Sequence, residues 1–201
     1  MRKILKSIAA AAVVAVGASS ASAQGFGIAS QGPWTGLYLG ANAGYGWARD
    51  TDPSISGFVG GIYGGYNIQA GSFVLGVEGD YTFSGMNASQ TISGINVDVG
   101  VSSLWSVRGR LGVAVTPNVV VFGTAGYGGF TVDARVGVLG LTATATGRAS
   151  GLVAGGGVEM AITRNLLGRV EGLYYMGDGS GTLSGTSQDV TVIRAGLAYK
   201  F

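Results

Sequence analysis

The chain contains no cysteine and no histidine, and only 11% of its 201 residues are charged. Without cysteine there is no disulfide framework and no thiolate chemistry. Without histidine there is no Ser-His catalytic pair, which also argues against lipid-modifying barrel enzymes built on one. Soluble globular domains carry about 25% charged residues, so the charge present here is too sparse to coat a water-facing exterior. Beyond the first residues there is also no long apolar run, although 47% of the chain is hydrophobic. A hydrophobic chain without a spanning helix must either bury everything or face lipid as a closed sheet.

What is present begins with an export signal. Arg2, Lys3 and Lys6 precede a short apolar run, Ile8 to Val16, and Ala21-Ser22-Ala23 offers a small-residue site before Gln24. This is the layout of a cleaved secretory signal, with cleavage expected between Ala23 and Gln24. The apolar run is too short for a membrane anchor, which needs ~20 residues. Loss of residues 1–23 removes three of the 12 basic residues and none of the 10 acids, turning a formal charge of +2 into −1. No basic patch remains to suggest nucleic acid as a partner. Residues 24–34 are expected to be a periplasmic lead-in, and 35–201 the folded domain.

Glycine is abundant, at 39 residues, and period-2 alternation recurs from residue 35 to the end. The pattern predicts strands near 35–47, 57–68, 73–84, 101–115, 119–132, 147–162, 166–177 and 189–201. Short connections rich in turn residues alternate with longer segments, 48–56, 85–100, 133–146 and 178–188, expected to be loops. Transmembrane barrels show this at their periplasmic and extracellular rims. Strands of about 12 residues at ~3.3 Å rise and a tilt near 45° project to ~28 Å, enough to cross the apolar band. The expectation is an all-β, antiparallel, up-and-down transmembrane β-barrel of eight strands.

The two faces differ in chemistry. Phe73, Leu75, Val77, Tyr81 and Phe83 share one face, whereas Glu78, Asp80 and Thr82 share the other; Trp105, Val107, Leu111 and Val113 likewise oppose Ser106, Arg108 and Arg110. The apolar set must face outward into lipid. Aromatics fall toward strand ends as two girdles: Tyr45, Trp47, Phe58, Tyr81, Phe83, Trp105, Tyr127 and Tyr174 near the long connections, and Tyr66, Phe73, Tyr199 and Phe201 near the short ones.

The predicted inward charges are Glu78, Asp80, Arg108, Arg110, Glu159, Arg169, Glu171 and Arg194, four acids and four bases. A narrow eight-stranded lumen is filled by side chains, so these read as a neutralised plug whose disruption would open the bore. A pair of carboxylates two residues apart, Glu78 and Asp80, could suggest acid–base work on a sugar, but the adjacent arginines suit a structural pair better. An echo supports the barrel layout: Val77-Glu78-Gly79-Asp80-Tyr81 returns as Val170-Glu171-Gly172-Leu173-Tyr174, each after a short turn. Gly123-x-x-Gly126-x-Gly128 and Gly155-Gly156-Gly157 lack the helix that a phosphate-binding loop requires. No spacing suggests a metal site or a cofactor.

Four stretches carry a resemblance: Trp34 to Trp47 (WTGLYLGANAGYGW), Phe73 to Asp80 (FVLGVEGD), Val107 to Gly112 (VRGRLG) and Val192 to Phe201 (VIRAGLAYKF). With them the chain resembles the small outer-membrane immunogenic proteins of alphaproteobacteria, the porin-family or opacity-like surface proteins. The resemblance implies an eight-stranded barrel of the small OmpA/OmpX type, an outer-membrane location, and roles in envelope integrity and host contact. The implied partners are outer-membrane lipid and lipopolysaccharide, the barrel assembly machinery, and surface ligands reached through loops. Leu197, Tyr199 and the terminal Phe201 resemble the C-terminal assembly signal of other barrels. Haem binding, credited to some relatives, does not carry over, because no histidine could ligate iron. A narrow passive channel is the alternative function; an envelope-lipid enzyme comes third.

Overall fold

A computed structural model describes residues 33–49, 55–92, 95–138, 141–180 and 187–201. The expected signal and its cleavage site at Ala21, Ala23 and Gln24 lie outside the described residues. The alternating segments form eight strands: β1 (Gly36–Arg49), β2 (Ser56–Ala70), β3 (Phe73–Ile92), β4 (Ile95–Thr116), β5 (Val119–Val138), β6 (Leu141–Ala161), β7 (Leu166–Ser180) and β8 (Ser187–Lys200). Each pairs with its sequence neighbours, and β8 pairs antiparallel with β1 to close the barrel. Closure leaves no edge at membrane depth, so backbone polar groups are satisfied without water.

The short connections follow local chemistry. Gly71 and Ser72 join β2 to β3, with Gly71 at φ +61°, a left-handed conformation that glycine adopts without strain. Pro117 and Asn118 join β4 to β5, where Asn118 N donates to Thr116 Oγ1. Thr163 Oγ1 accepts from both Asn165 N and Leu166 N in the turn from β6 to β7.

Two expected loops prove to be strand. Residues 85–92 continue β3, 95–100 continue β4, 133–138 extend β5 and 141–146 extend β6. The ladder runs on to Ile92↔Ile95 and Val138↔Leu141. Alternation persists through Ile95, Val97, Val99 and Val101, through Val132, Ala134, Val136 and Val138, and through Leu141, Ala143 and Ala145, so the strand signal is present in these extensions and is weak only in 85–92. β3 to β6 therefore have 20–22 residues against 14–15 for β1, β2, β7 and β8, and one side of the wall stands taller.

The outer wall is apolar, with Phe58 80% and Phe201 67% exposed. Its aromatics gather at two heights: Tyr45 with Phe58 and Trp105 with Tyr127 toward the long ends, and Tyr199 with Phe201 at the short-turn rim. Trp47 and Tyr174 are half-buried rather than exposed.

The lumen departs from a purely polar filling. Its short-turn end is packed by Trp34, Tyr38, Tyr63, Val120, Phe122 and Leu167, and its upper part by residues including Val59, Met86, Leu104, Phe130, Leu173 and Tyr175. The charged residues form a layer between these apolar packings. Glycines on the inner face let neighbouring strands approach closely. A Cβ at Gly44 would lie 2.1 Å from the Ile193 carbonyl oxygen, and one at Gly157 would lie 2.2 Å from that of Val170.

Candidate functional site

Strand parity brings the charged layer together. Glu78, Asp80 and Thr82 lie on alternate residues of β3, as Ser106, Arg108 and Arg110 do on β4, and all six are buried. β6 contributes Glu159, β7 contributes Arg169 and Glu171, and β8 contributes Arg194, also buried. Three acid–base pairs stand directly opposite one another in the ladder: Glu78↔Arg108, Glu159↔Arg169 and Glu171↔Arg194. The echo in the sequence has a structural counterpart here: Glu78 and Glu171 both face inward and share Arg108 as a partner.

Within the β3–β4 pair, Arg108 Nη2 donates to Glu78 Oε1 at 2.7 Å and to Asp80 Oδ1 at 2.9 Å. Asp80 also accepts from the Ser106 hydroxyl. On the closing strands Arg194 Nε donates to Glu171 Oε1 at 2.9 Å. Other contacts cross the bore, where sequence spacing offered no guide. Arg108 Nη1 reaches Glu171 Oε2 at 3.3 Å, Arg194 Nη1 reaches Asp80 Oδ2 at 3.0 Å, and Arg110 Nη1 reaches Glu159 Oε2 at 3.3 Å. Arg169 Nη1 lies 2.6 Å from Glu78 Oε2, a charge contact without hydrogen-bond alignment. All eight residues thus form one network that ties β3 and β4 to β6, β7 and β8.

Aromatic side chains that sequence reading missed complete this layer. Arg110 stacks over Phe122 at 4.2 Å and Arg169 over Tyr63 at 4.1 Å, contacts in which the guanidinium meets the negative face of the ring. The Tyr38 hydroxyl donates to Glu78 Oε2 at 2.7 Å and accepts from Arg110 Nη1 at 3.2 Å. The signal was available in parity: Leu37, Leu39, Ala41 and Ala43 face outward, which puts Tyr38 and Asn42 inside.

Trp34 sits below the network, buried, with its backbone N–H donating to Gln69 Oε1 at 3.2 Å, while Gln69 N donates to Thr35 Oγ1 at 3.0 Å. Lys200 Nζ donates to the Pro33 carbonyl. The lead-in to β1 is therefore fastened to the barrel floor. Leu197, Tyr199 and Phe201 line the outer face of β8, and Phe201 N donates to the Leu37 carbonyl at 2.9 Å.

Chemically the layer is an internal electrostatic brace. Each carboxylate is engaged by guanidinium groups, and apolar layers above and below cover them all. Glu78 and Asp80 are themselves buried, each in contact with two or more guanidinium groups. Among the described residues no group of three or more acidic side chains is placed to hold a metal ion.

A family model described as outer membrane protein beta-barrel domain matches residues 8–201. The 25 kDa outer-membrane immunogenic protein of Brucella abortus biovar 1 (strain 9-941) is 34% identical over 184 residues, covering 87% of this chain and 82% of the relative. The 22 kDa outer membrane protein of Rhizobium leguminosarum bv. viciae is 32% identical over 176 residues, covering 85% and 79%. Among solved structures, the outer membrane protein OprG from Pseudomonas aeruginosa superposes with a TM-score of 0.58 at 15% identity, over 85% of this chain and 98% of that one. Neisserial surface protein A gives 0.53 at 18%, over 83% and 98%. At such identities the two structures bear on the fold alone.

Proposed function

This chain belongs to the outer membrane protein beta-barrel domain family, and on that footing we propose that it is a closed, non-conducting barrel with a structural and surface-presenting role. Its place is the outer membrane, as in its Brucella and Rhizobium relatives. The observation that carries the reading is the stacking in the lumen: a neutral network of four acids and four arginines held between two apolar packings. Ions crossing such a bore would meet two dry barriers as well as the charged layer. On this reading the seal is shared between the charged layer and the two packings, rather than carried by the charges alone.

Surface contact is assigned to the tall side of the wall, where β3 to β6 carry residues 87–92, 95–100, 133–138 and 141–146 beyond the ends of the shorter strands. The Brucella relative is named an immunogenic protein; for this chain, exposure of the tall side is the corresponding proposal. The test of closure is solute flux: liposomes bearing the folded protein should swell in small sugars no faster than empty ones, and swelling at porin-like rates would overturn the reading. The test of exposure is an epitope tag inserted at residues 139–140. Antibody should reach it on intact cells, and staining only after permeabilisation would contradict the assignment.

A further inference from the structure

The floor of the lumen is built from every strand and from one residue that belongs to none. Each of β1 to β8 sends a side chain to the packing at the short-turn end, and several of these are small: Val74, Ala114, Val120, Ala161 and Ala198. Trp34 joins the same packing and is wholly buried, although it precedes the first residue of β1. Small side chains on the wall leave a width across the bore that the wall does not fill. The indole, the largest side chain of the packing, fills it.

Its entry depends on Gly36, the residue at which β1 begins. Gly36 has φ +138°, a conformation that glycine adopts and side-chain-bearing residues do not adopt without strain. A Cβ there would also lie 3.0 Å from the Phe201 carbonyl oxygen. The chain changes direction at this glycine, and Trp34 turns in under the rim instead of prolonging β1 beyond it.

Trp34 is held lightly by polar contacts. Its backbone N–H donates to the Gln69 side chain, and the preceding Pro33 carbonyl accepts from Lys200 Nζ. The indole Nε1–H is buried and has no hydrogen-bond partner among the described residues. A buried indole N–H ordinarily finds an acceptor. Outside the bore water would accept from it, so apolar contact alone keeps the ring inserted, against a polar penalty.

We infer that residues 33–36 are a hinged cork. With Trp34 inserted, the short-turn mouth, the periplasmic one in barrels of this kind, is shut. With Trp34 swung out about Gly36, water enters the lower lumen as far as the charged layer, while the upper packing around Leu104 and Phe130 stays closed. The inference rests on the closed-barrel reading and assigns the lower seal to a residue outside the wall.

The chain has no cysteine, so one introduced cysteine is the sole thiol and reports water access to its position. The test measures the rate at which a small, charged methanethiosulfonate modifies Val120→Cys in the floor, Leu104→Cys in the upper packing and Ser72→Cys in an exposed turn, each in the folded full chain. In the otherwise unaltered protein Val120→Cys and Leu104→Cys should react about a hundredfold more slowly than Ser72→Cys, because access waits on a local opening. Trp34→Ala should bring Val120→Cys to within about tenfold of Ser72→Cys and leave Leu104→Cys protected, as a local opening of the floor requires. Trp34→Phe, which keeps a ring in the mouth, should restore most of the protection. Gly36→Ala alters no floor side chain, should also expose Val120→Cys, and decides the matter if Trp34→Ala does not fold. Folding of every variant is checked by its mobility on an unheated gel. Rapid reaction of Val120→Cys with Trp34 in place would overturn the cork. So would protection that survives both Trp34→Ala and Gly36→Ala, or equal exposure of Leu104→Cys, which would mean general loosening. Liposome swelling reads the closed barrel separately: a failed cork with no swelling leaves that reading standing.

Discussion

Arg108 donates to Glu78 and Asp80 on the neighbouring strand and to Glu171 across the bore, so its removal leaves three carboxylates short of a partner. Breaking one member of a buried pair costs about 3–5 kcal/mol, because the uncompensated charge stays buried. Arg108→Ala and Glu78→Ala should each lower stability by an amount of that order, measured by urea unfolding in lipid. The double variant should lose less than the sum, since the two residues share a network. Strict additivity would mean that they act independently. Tyr38→Phe isolates the hydroxyl that links Glu78 to Arg110. A buried hydrogen bond lost this way costs about 1–3 kcal/mol, so its unfolding midpoint should fall less than that of Arg108→Ala. At this scale charge marks the lumen openly, whereas Tyr38, Tyr63 and Phe122 carry no polar tag and are placed inside only by the parity of their strands.

At the level of strands, glycine positions differ in how closely the neighbouring backbone approaches. A Cβ at Gly44 would meet the Ile193 carbonyl oxygen at 2.1 Å and the Arg194 Cα at 2.6 Å, both backbone atoms that cannot step aside without moving β8. At Gly79, on the outer face, the nearest atom is the Ser106 carbonyl oxygen at 3.8 Å. Gly44→Ala should therefore sharply reduce the yield of folded barrel, while Gly79→Ala should fold normally or gain slightly from a less flexible unfolded chain. Equal yields on a gel of unheated samples would show that inner-face glycine is not what permits the close strand approach. The C-terminal strand makes a separate prediction. Phe201 is exposed beside Tyr199, with ring centres 5.1 Å apart. Phe201→Ala keeps the backbone bond to Leu37, so it should fold in detergent yet accumulate less in the outer membrane of cells; unchanged accumulation would reduce Phe201 to a girdle residue. Strand existence is legible from alternation, which also runs through the upper parts of β4, β5 and β6, whereas the upper part of β3 lacks it. Segments such as Ala88-Ser89-Gln90-Thr91 lack the apolar partner positions that alternation needs, and pairing across the ladder, not local preference, extends them.

For the whole molecule, the absence of surface charge was enough to turn the barrel inside out in the reading of the sequence, and the eight closed strands agree with it. The apolar layers in the lumen were not legible, because Val, Leu and Phe on an inner face look the same in sequence as on an outer one. On the proposed function, the charged layer braces the walls and shares the sealing with the packings above and below. Single-channel recording in planar bilayers tests that arrangement most directly, using the unaltered protein and Arg108→Ala on the same day. Both should show no discrete openings across the range of voltages a bilayer tolerates, even though Arg108→Ala unfolds more easily. Stable ohmic steps from the unaltered protein would contradict the closed barrel, and steps appearing only in Arg108→Ala would return the seal to the charged layer alone.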